Sequence, residues 1–291
     1  MTVLPIHQES QAEVKQLDHF SFSAMKDWDH CPHYFKVKRI DRLLPFEGNI
    51  HTAFGKAVHK TQEVELLSEK PGCVELDKLF LKEFEKELAY LDTKQKYDIV
   101  NEPSLKKLHT DMLRQGQELA QEIIPALDAK FEDGYEVFGV EESLYEIIDF
   151  YDESEWFLKG YIDLVVKTKD NRYHIIDWKV TGWGWTPRQR ADAMTGYQLA
   201  LYKHFFCKKY KIDPDRVDTY FVLCKRTIPK DPKERIEFVP ITTGKKKVEN
   251  AINLLNTAVY NVDHGNHMKK RTNCWKGKNT KCSLYKTKLC P

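Results

Sequence analysis

The chain has 291 residues, with 46 Lys or Arg against 44 Asp or Glu and a formal charge of +2. That length can bury the core of one large domain or two small ones, and 31% charged with 41% hydrophobic residues is an ordinary globular make-up. No apolar run reaches the length of a membrane span and the N-terminus shows no signal-peptide core. Seven cysteines, an odd number, argue against a secreted disulfide scaffold and for a cytoplasmic protein, an enzyme by default.

Residues 1–19 are polar and aperiodic, and read as a flexible arm. In SFSAMKDWDHCPHYFKVKRI, Ser21 or Ser23 can cap a short helix through Trp28, and Pro32 opens a second helix to Ile40. Residues 51–69 form an amphipathic helix with Ala53, Phe54, Ala57, Val58 and Val64 on its apolar side. Gly55 and His59, four apart, share a face there, so a close backbone approach at Gly55 aims His59 toward a sheet. Residues 74–132 keep three-to-four-residue apolar spacing, with Pro103 at a helix start, and predict a helical insertion that shapes a substrate cleft. No heptad is sustained, which makes a coiled-coil partner surface the lesser alternative.

Residues 135–150 predict a strand with Glu141 and Glu142 near its centre, and alternation does not choose between them. The next stretch, WFLKGYIDLVVKTKDNRYHIIDWK, reads as strands 157–168 and 172–180 joined by a two-residue turn at Asp170-Asn171. Folding that hairpin sets Asp163 almost opposite Asp177, and Asp177 shares a face with Lys179. Burying two carboxylates without a partner is costly, and a divalent cation compensates. Oxygen ligands suit Mg²⁺ or Mn²⁺ better than zinc. The alternative, a solvated hairpin with an Asp177–Lys179 surface pair, sits poorly with Ile175, Ile176 and Trp178 on the same strand.

After Lys179 comes a loop, 181–186, with two glycines and two tryptophans, and Pro187 then opens a long helix on which Gln198 and Tyr202 share a face. Strands at 217–227 and 234–240 and a helix from Thr242 to Asp263 complete an α/β sheet flanked by helices. The tail from His267 carries eight Lys or Arg, no acidic residue, and Cys274, Cys282 and Cys290. It could contact a phosphate backbone, with Trp275 and Tyr285 stacking on bases, or stand as a solvated basic tail. Cys73, Cys207 and Cys224 read as packing residues in helix or strand.

GYIDLV at 160–165 followed by HIIDWKVTG at 174–182 resembles the PD-(D/E)XK nuclease superfamily, and more narrowly its RecB-type branch. The helix Gly55-Lys56-Ala57-Val58-His59 and the pair Gln198 and Tyr202 fall in that branch's order. The resemblance implies a restriction-endonuclease-like mixed sheet over 20–265, with the insertion at 74–132. It implies a divalent-metal-dependent DNA nuclease, acting as an exonuclease, in which His59, Asp163, Asp177 and the carbonyl of Trp178 hold the metal. Lys179 is then catalytic, Gln198 and Tyr202 position substrate and lysine, and Glu142 is the strand glutamate beside the metals, although a solvent-facing glutamate fits equally. An imidazole ligand favours Mn²⁺ over Mg²⁺.

Cys31, in Cys31-Pro32 before Tyr34-Phe35-Lys36, with Cys274, Cys282 and Cys290, is similar to the iron–sulfur members of that branch, AddB and the CRISPR-adaptation nucleases among them. This implies a [4Fe–4S] cluster that ties residues 266–291 back to Cys31. The spacing departs from the pattern: both C-terminal gaps are seven residues, where the relatives set the first two cysteines close together. A zinc site and unligated thiols remain open. Such enzymes serve recombination, repair, CRISPR adaptation and phage DNA processing (in the host cytoplasm if viral), and a helicase or recombination partner is implied. Three alternatives compete: a nuclease of RNA, a binding module on the same fold without catalysis, and a structural or adaptor role for 74–132 in complex with a helicase or recombinase.

Overall fold

A computed structural model describes residues 18–44, 48–69, 72–92, 103–149, 155–228, 235–276 and 280–291. The expected N-terminal arm lies outside the described residues through position 17, as does the side chain of Trp275. Where the arm was expected to end, His19 and Phe20 instead form a short strand, β1, which pairs in parallel with Phe157 and Leu158.

The Val-, Ile- and aromatic-rich segments build one six-stranded mixed sheet. Its other strands are β2 (Tyr135–Ile147), β3 (Phe157–Thr168), β4 (Tyr173–Thr181), β5 (Val217–Lys225) and β6 (Ile236–Pro240). β3 runs antiparallel to β2 and to β4, β4 pairs in parallel with β5, and β6 closes antiparallel on β5. The parallel pair is joined by helices α6 (Pro187–Arg190) and α7 (Ala193–Tyr210), as a parallel connection requires. The single long helix expected from Pro187 is therefore two. Thr186 caps the first and Asp192 caps the second, because its side chain accepts from Thr195 N–H.

The β3–β4 hairpin turns through three residues rather than two. Thr168 N–H donates to the Arg172 carbonyl, Asn171 N–H donates to the Thr168 carbonyl, and Asn171 takes φ 62°. This is a type I turn followed by a left-handed residue, a conformation Asn tolerates.

Helices cover both faces of the sheet. On one face α7 and α8 (Lys245–Asp263) pack Leu199, Phe205, Phe206, Leu255 and Val259 against Leu158, Val165, Ile175 and Phe221. The helix α1 (Phe22–His30), capped by Ser21, joins that layer; α2 (Pro32–Phe35) follows and runs into a π turn through Ile40. On the other face lie α3 (Ile50–Leu66), α4 (Leu76–Asp92) and α5 (Pro103–Lys130), packed on Leu164, Val166, Ile176 and Trp178. The stretch expected to be a helical insertion thus packs with α3 as the second layer of the fold. Phe54 of α3 meets Phe80 and Phe84 of α4 edge-on at 5.2 and 5.7 Å. Truncating a fully buried Phe of this kind costs about 3–5 kcal/mol, so the packing that carries His59 is strong. Arg235, 3% exposed, donates to Glu122 and to the Lys225 and Gln115 carbonyls, tying α5 to the end of β5.

Cys207 and Cys224 are buried in α7 and β5, whereas Cys73, expected in an element, is exposed in the segment before α4. Among the described residues no helix is long and apolar enough to cross a membrane.

Candidate active site

β2 occupies one edge of β3 along its whole length, so β1 and β4 share the other edge. β1 takes Phe157 and Leu158, β4 takes Leu164–Lys167, and residues 159–163 between them have no strand partner on that side. The β3–β4 ladder thus ends just before Asp163 would face Asp177. In place of a ladder bond, Trp178 N–H donates to Asp163 Oδ2 at 2.7 Å. The two strands part here, and the fork is where the candidate site residues meet.

Three elements converge on it. From α3, His59 Nδ1 stands 3.6 Å from Asp163 Oδ2, as the shared face with Gly55 predicted. From α7, Gln198 Nε2 donates to Asp177 Oδ1 at 2.7 Å and to the Tyr202 hydroxyl at 3.3 Å. The Tyr202 ring fills the gap beside β3, where a Cβ on Gly160 would lie 2.9 Å from its Cε1. Only glycine lets the ring come so close. From β4, Lys179 Nζ lies 2.5 Å from Asp177 Oδ2 and 5.2 Å over the Phe221 ring. The Asp177 side chain is 3% exposed and that of Lys179 33%, so the ammonium reaches the surface from a buried anchor.

The β2 glutamate that lies beside His59 and Asp163 is Glu141, whereas the sequence resemblance favours Glu142. His59, Glu141 and Asp163 each offer a ligand atom, and the three atoms lie within 4.8 Å of one another. Glu142 faces α7, where its Oε1 accepts from Lys209 Nζ and the Tyr210 hydroxyl, both at 2.6 Å. Two irregularities in β2 explain this. The register with β3 slips by one between Val137 and Gly139, and Glu141 takes φ 50°. Val140 consequently packs with the α3 layer while Glu142, two residues on, meets the α7 layer. Simple alternation would put both on one face. No sequence signal announces the left-handed glutamate.

Burial governs the electrostatics. It pushes the Asp163 carboxyl well above the usual range, and the charge of Asp177 pushes the same way, against Lys179 and the Trp178 N–H. It raises Glu141, helped by Glu63, and raises the Tyr202 phenol. It holds His59 below the ordinary imidazole value, against the nearby Asp177 and a backbone hydrogen bond with Trp178. An imidazole and two carboxylates, with Glu141 exposed and the other two partly buried, are a donor set that a divalent cation would satisfy. Asp177 stands beside that trio with its oxygens turned to Gln198 and Lys179. A cleft of about 430 Å³ between α3 and α4, lined by Gly55, His59, Lys60, Glu63, Glu87 and Glu141, leads to the trio.

The tail lies against the start of the chain near Cys31. His33 N–H donates to the Met268 carbonyl, the Lys270 N–H to Cys31 Sγ and the Asn273 amide to the His30 carbonyl. His33 Nε2 meets the Leu289 carbonyl at 2.8 Å. Cys31, Cys274, Cys282 and Cys290, all free and partly exposed, line one pocket. The Cys274 thiol is pushed up by desolvation and by each of the other three.

The crystal structure of a candidate exonuclease from Eubacterium rectale has a similar fold, with 13% identity, 95% of this chain and 97% of that one covered, and a TM-score of 0.52. The crystal structure of SSO0001 covers 71% of this chain and 84% of its own at 17% identity, and its TM-score of 0.33 is too low to argue from. No curated protein matches. The sequence model of one family matches residues 19–284, a span that holds the fork, both acidic strands and the α7 pair. The chain belongs to the PD-(D/E)XK nuclease superfamily.

Proposed function

We propose that this nuclease is a divalent-metal-dependent enzyme of the RecB-type branch that hydrolyses phosphodiester bonds in DNA, working from strand ends as an exonuclease. The observation that carries this is the trio of His59, Glu141 and Asp163 ligand atoms within 4.8 Å, beside the 2.5 Å contact of Lys179 with Asp177. His59, Asp163, Asp177 and the Trp178 carbonyl would hold one or two cations, with Glu141 in the place expected for Glu142. A cation bound there supplies a water of lowered pKa and offsets charge on the phosphate oxygens, and the imidazole favours Mn²⁺ over Mg²⁺.

The chain's own groups do the rest. Lys179, its side chain one-third exposed, faces the scissile phosphate and stabilises the charge that grows there. Gln198 holds Asp177 in position and is itself braced on Tyr202. Purified Asp177→Ala protein should fold and lose Mn²⁺-stimulated turnover of end-labelled DNA by at least about a hundredfold. Undiminished cutting by that variant refutes the assignment, and matched RNA strands test the choice of DNA.

The four cysteines lining one pocket support a second assignment, a [4Fe–4S] cluster held by Cys31, Cys274, Cys282 and Cys290. Brown anaerobic protein with about four irons per chain is the expected result; colourless protein, or bound zinc, overturns it. The free thiols fit a reducing, cytoplasmic compartment, and a helicase or recombination partner would appear as a stable complex on co-purification.

A further inference from the structure

Trp183 is the most exposed large hydrophobic side chain among the described residues, 79% open to solvent, and it lies four residues beyond Lys179. An indole so exposed has no packing role. Its backbone, by contrast, is held on both sides. The Gly182 carbonyl accepts from Thr227 N–H at 3.1 Å and from the Thr227 hydroxyl, and Arg226 N–H donates to the Thr181 carbonyl at 2.8 Å. Gly184, at φ 56°, turns the chain back and donates its N–H to Thr181 Oγ1 at 3.2 Å. Trp185 then anchors the loop from the other side, with its ring 5.1 Å from Phe221, the same ring that underlies the Lys179 ammonium. A rigid loop therefore joins the catalytic strand to one bare aromatic face.

We propose that Trp183 is a stacking platform for a base of the substrate strand, next to the phosphodiester that the fork engages. Four residues span at most about 14 Å of chain, which is a few nucleotides along a strand. Glycine on each side puts no neighbouring side chain beside the ring. Arg188, exposed on α6, forms no ion pair among the described residues and can meet the neighbouring phosphate. A single indole between two glycines is too small for a protein-docking patch, which needs a few hundred Å² of contiguous apolar surface. Base–aromatic stacking needs only one ring and tolerates any base.

This inference rests on the nuclease reading, and its test separates the two. Binding is measured by fluorescence anisotropy in EDTA, so that no strand is cut, with a single-stranded DNA 20-mer and an abasic strand of equal length. Trp183→Ala should weaken binding to the base-bearing strand about tenfold, the size of one lost stack, and leave the abasic strand unaffected. Trp183→Phe should bind within about threefold of the native chain. Equal affinity of Trp183→Ala and native chain for the base-bearing strand overturns the platform and leaves the nuclease intact. An equal loss on the abasic strand overturns it too, since the effect is then not stacking. A native chain that binds neither strand also overturns the platform, while the nuclease reading is judged by Mn²⁺-stimulated turnover of the same 20-mer.

Discussion

Removing the Lys179 ammonium exposes the cost of the site's design. Asp177 is 3% exposed, its Oδ2 lies 2.5 Å from Nζ, and its Oδ1 accepts from Gln198 at 2.7 Å. Lys179→Ala strips the first partner and keeps the second. Deleting one member of a buried pair costs about 3–5 kcal/mol, because a charge is stranded in low dielectric. The lysine is 33% exposed and the Gln198 bond survives, so we discount the cost to about 2–3 kcal/mol. At roughly 2–4 °C per kcal/mol for a chain of this size, the melting temperature should fall by about 5–10 °C. The assay is urea unfolding in EDTA. Asp177→Asn in the Lys179→Ala background should recover more than half of the loss, since it removes the stranded charge. Excess Mn²⁺ should stabilise Lys179→Ala by mass action, about 2.7 kcal/mol at one hundred times the dissociation constant. A cost under about 0.5 kcal/mol, or no recovery with Asn, would show that Asp177 is not an uncompensated buried charge and would refute this reasoning.

Three further outcomes are expected. Glu141→Gln should lower kcat by about a hundredfold with little effect on folding, while Glu142→Gln should cost about 1 kcal/mol of stability through Lys209 and Tyr210 and spare turnover; the reverse pattern in paired kinetic and unfolding assays sinks the assignment of Glu141. Gly160→Ala would set a Cβ 2.9 Å from Tyr202 Cε1, so it should cost about 1–3 kcal/mol by overpacking and reduce activity through the displaced Tyr202–Gln198 pair; native-like stability and rate would contradict the close contact. Burial holds His51, His59, His174, His204 and His267 all below the ordinary imidazole value. The unfolded chain then takes up protons that these folded histidines refuse, so their contribution to stability should be full above about pH 6.5 and fall as the pH drops through it. His174→Gln should flatten that fall, and denaturant midpoints at pH 7.5 and 5.5 measure it.

The side-chain relations at the candidate site were legible in the sequence because they depend on local spacing. A period of two put Asp177 and Lys179 on one face, a period of four put His59 beside Gly55 and Gln198 beside Tyr202, and the structure keeps these relations. The helices that bracket the sheet followed from apolar spacing, and so did the strands. The three-residue hairpin loop was not legible, since Asp-Asn admits either turn and the ladder decides between them. Nor was the break after Arg190, which depends on Asp192 capping a new helix rather than continuing the old one.

Alone, then, the sequence determined which residues carry charge, imidazole and thiol, and at what period along each element. Tertiary structure decided which of them meet. The fork exists because β1 and β4 share one edge of β3, a property of strands more than a hundred residues apart in sequence. Glu141 and not Glu142 lies at the fork where a register slip and one left-handed residue break the alternation of β2, and such a backbone costs energy that only the surrounding sheet repays.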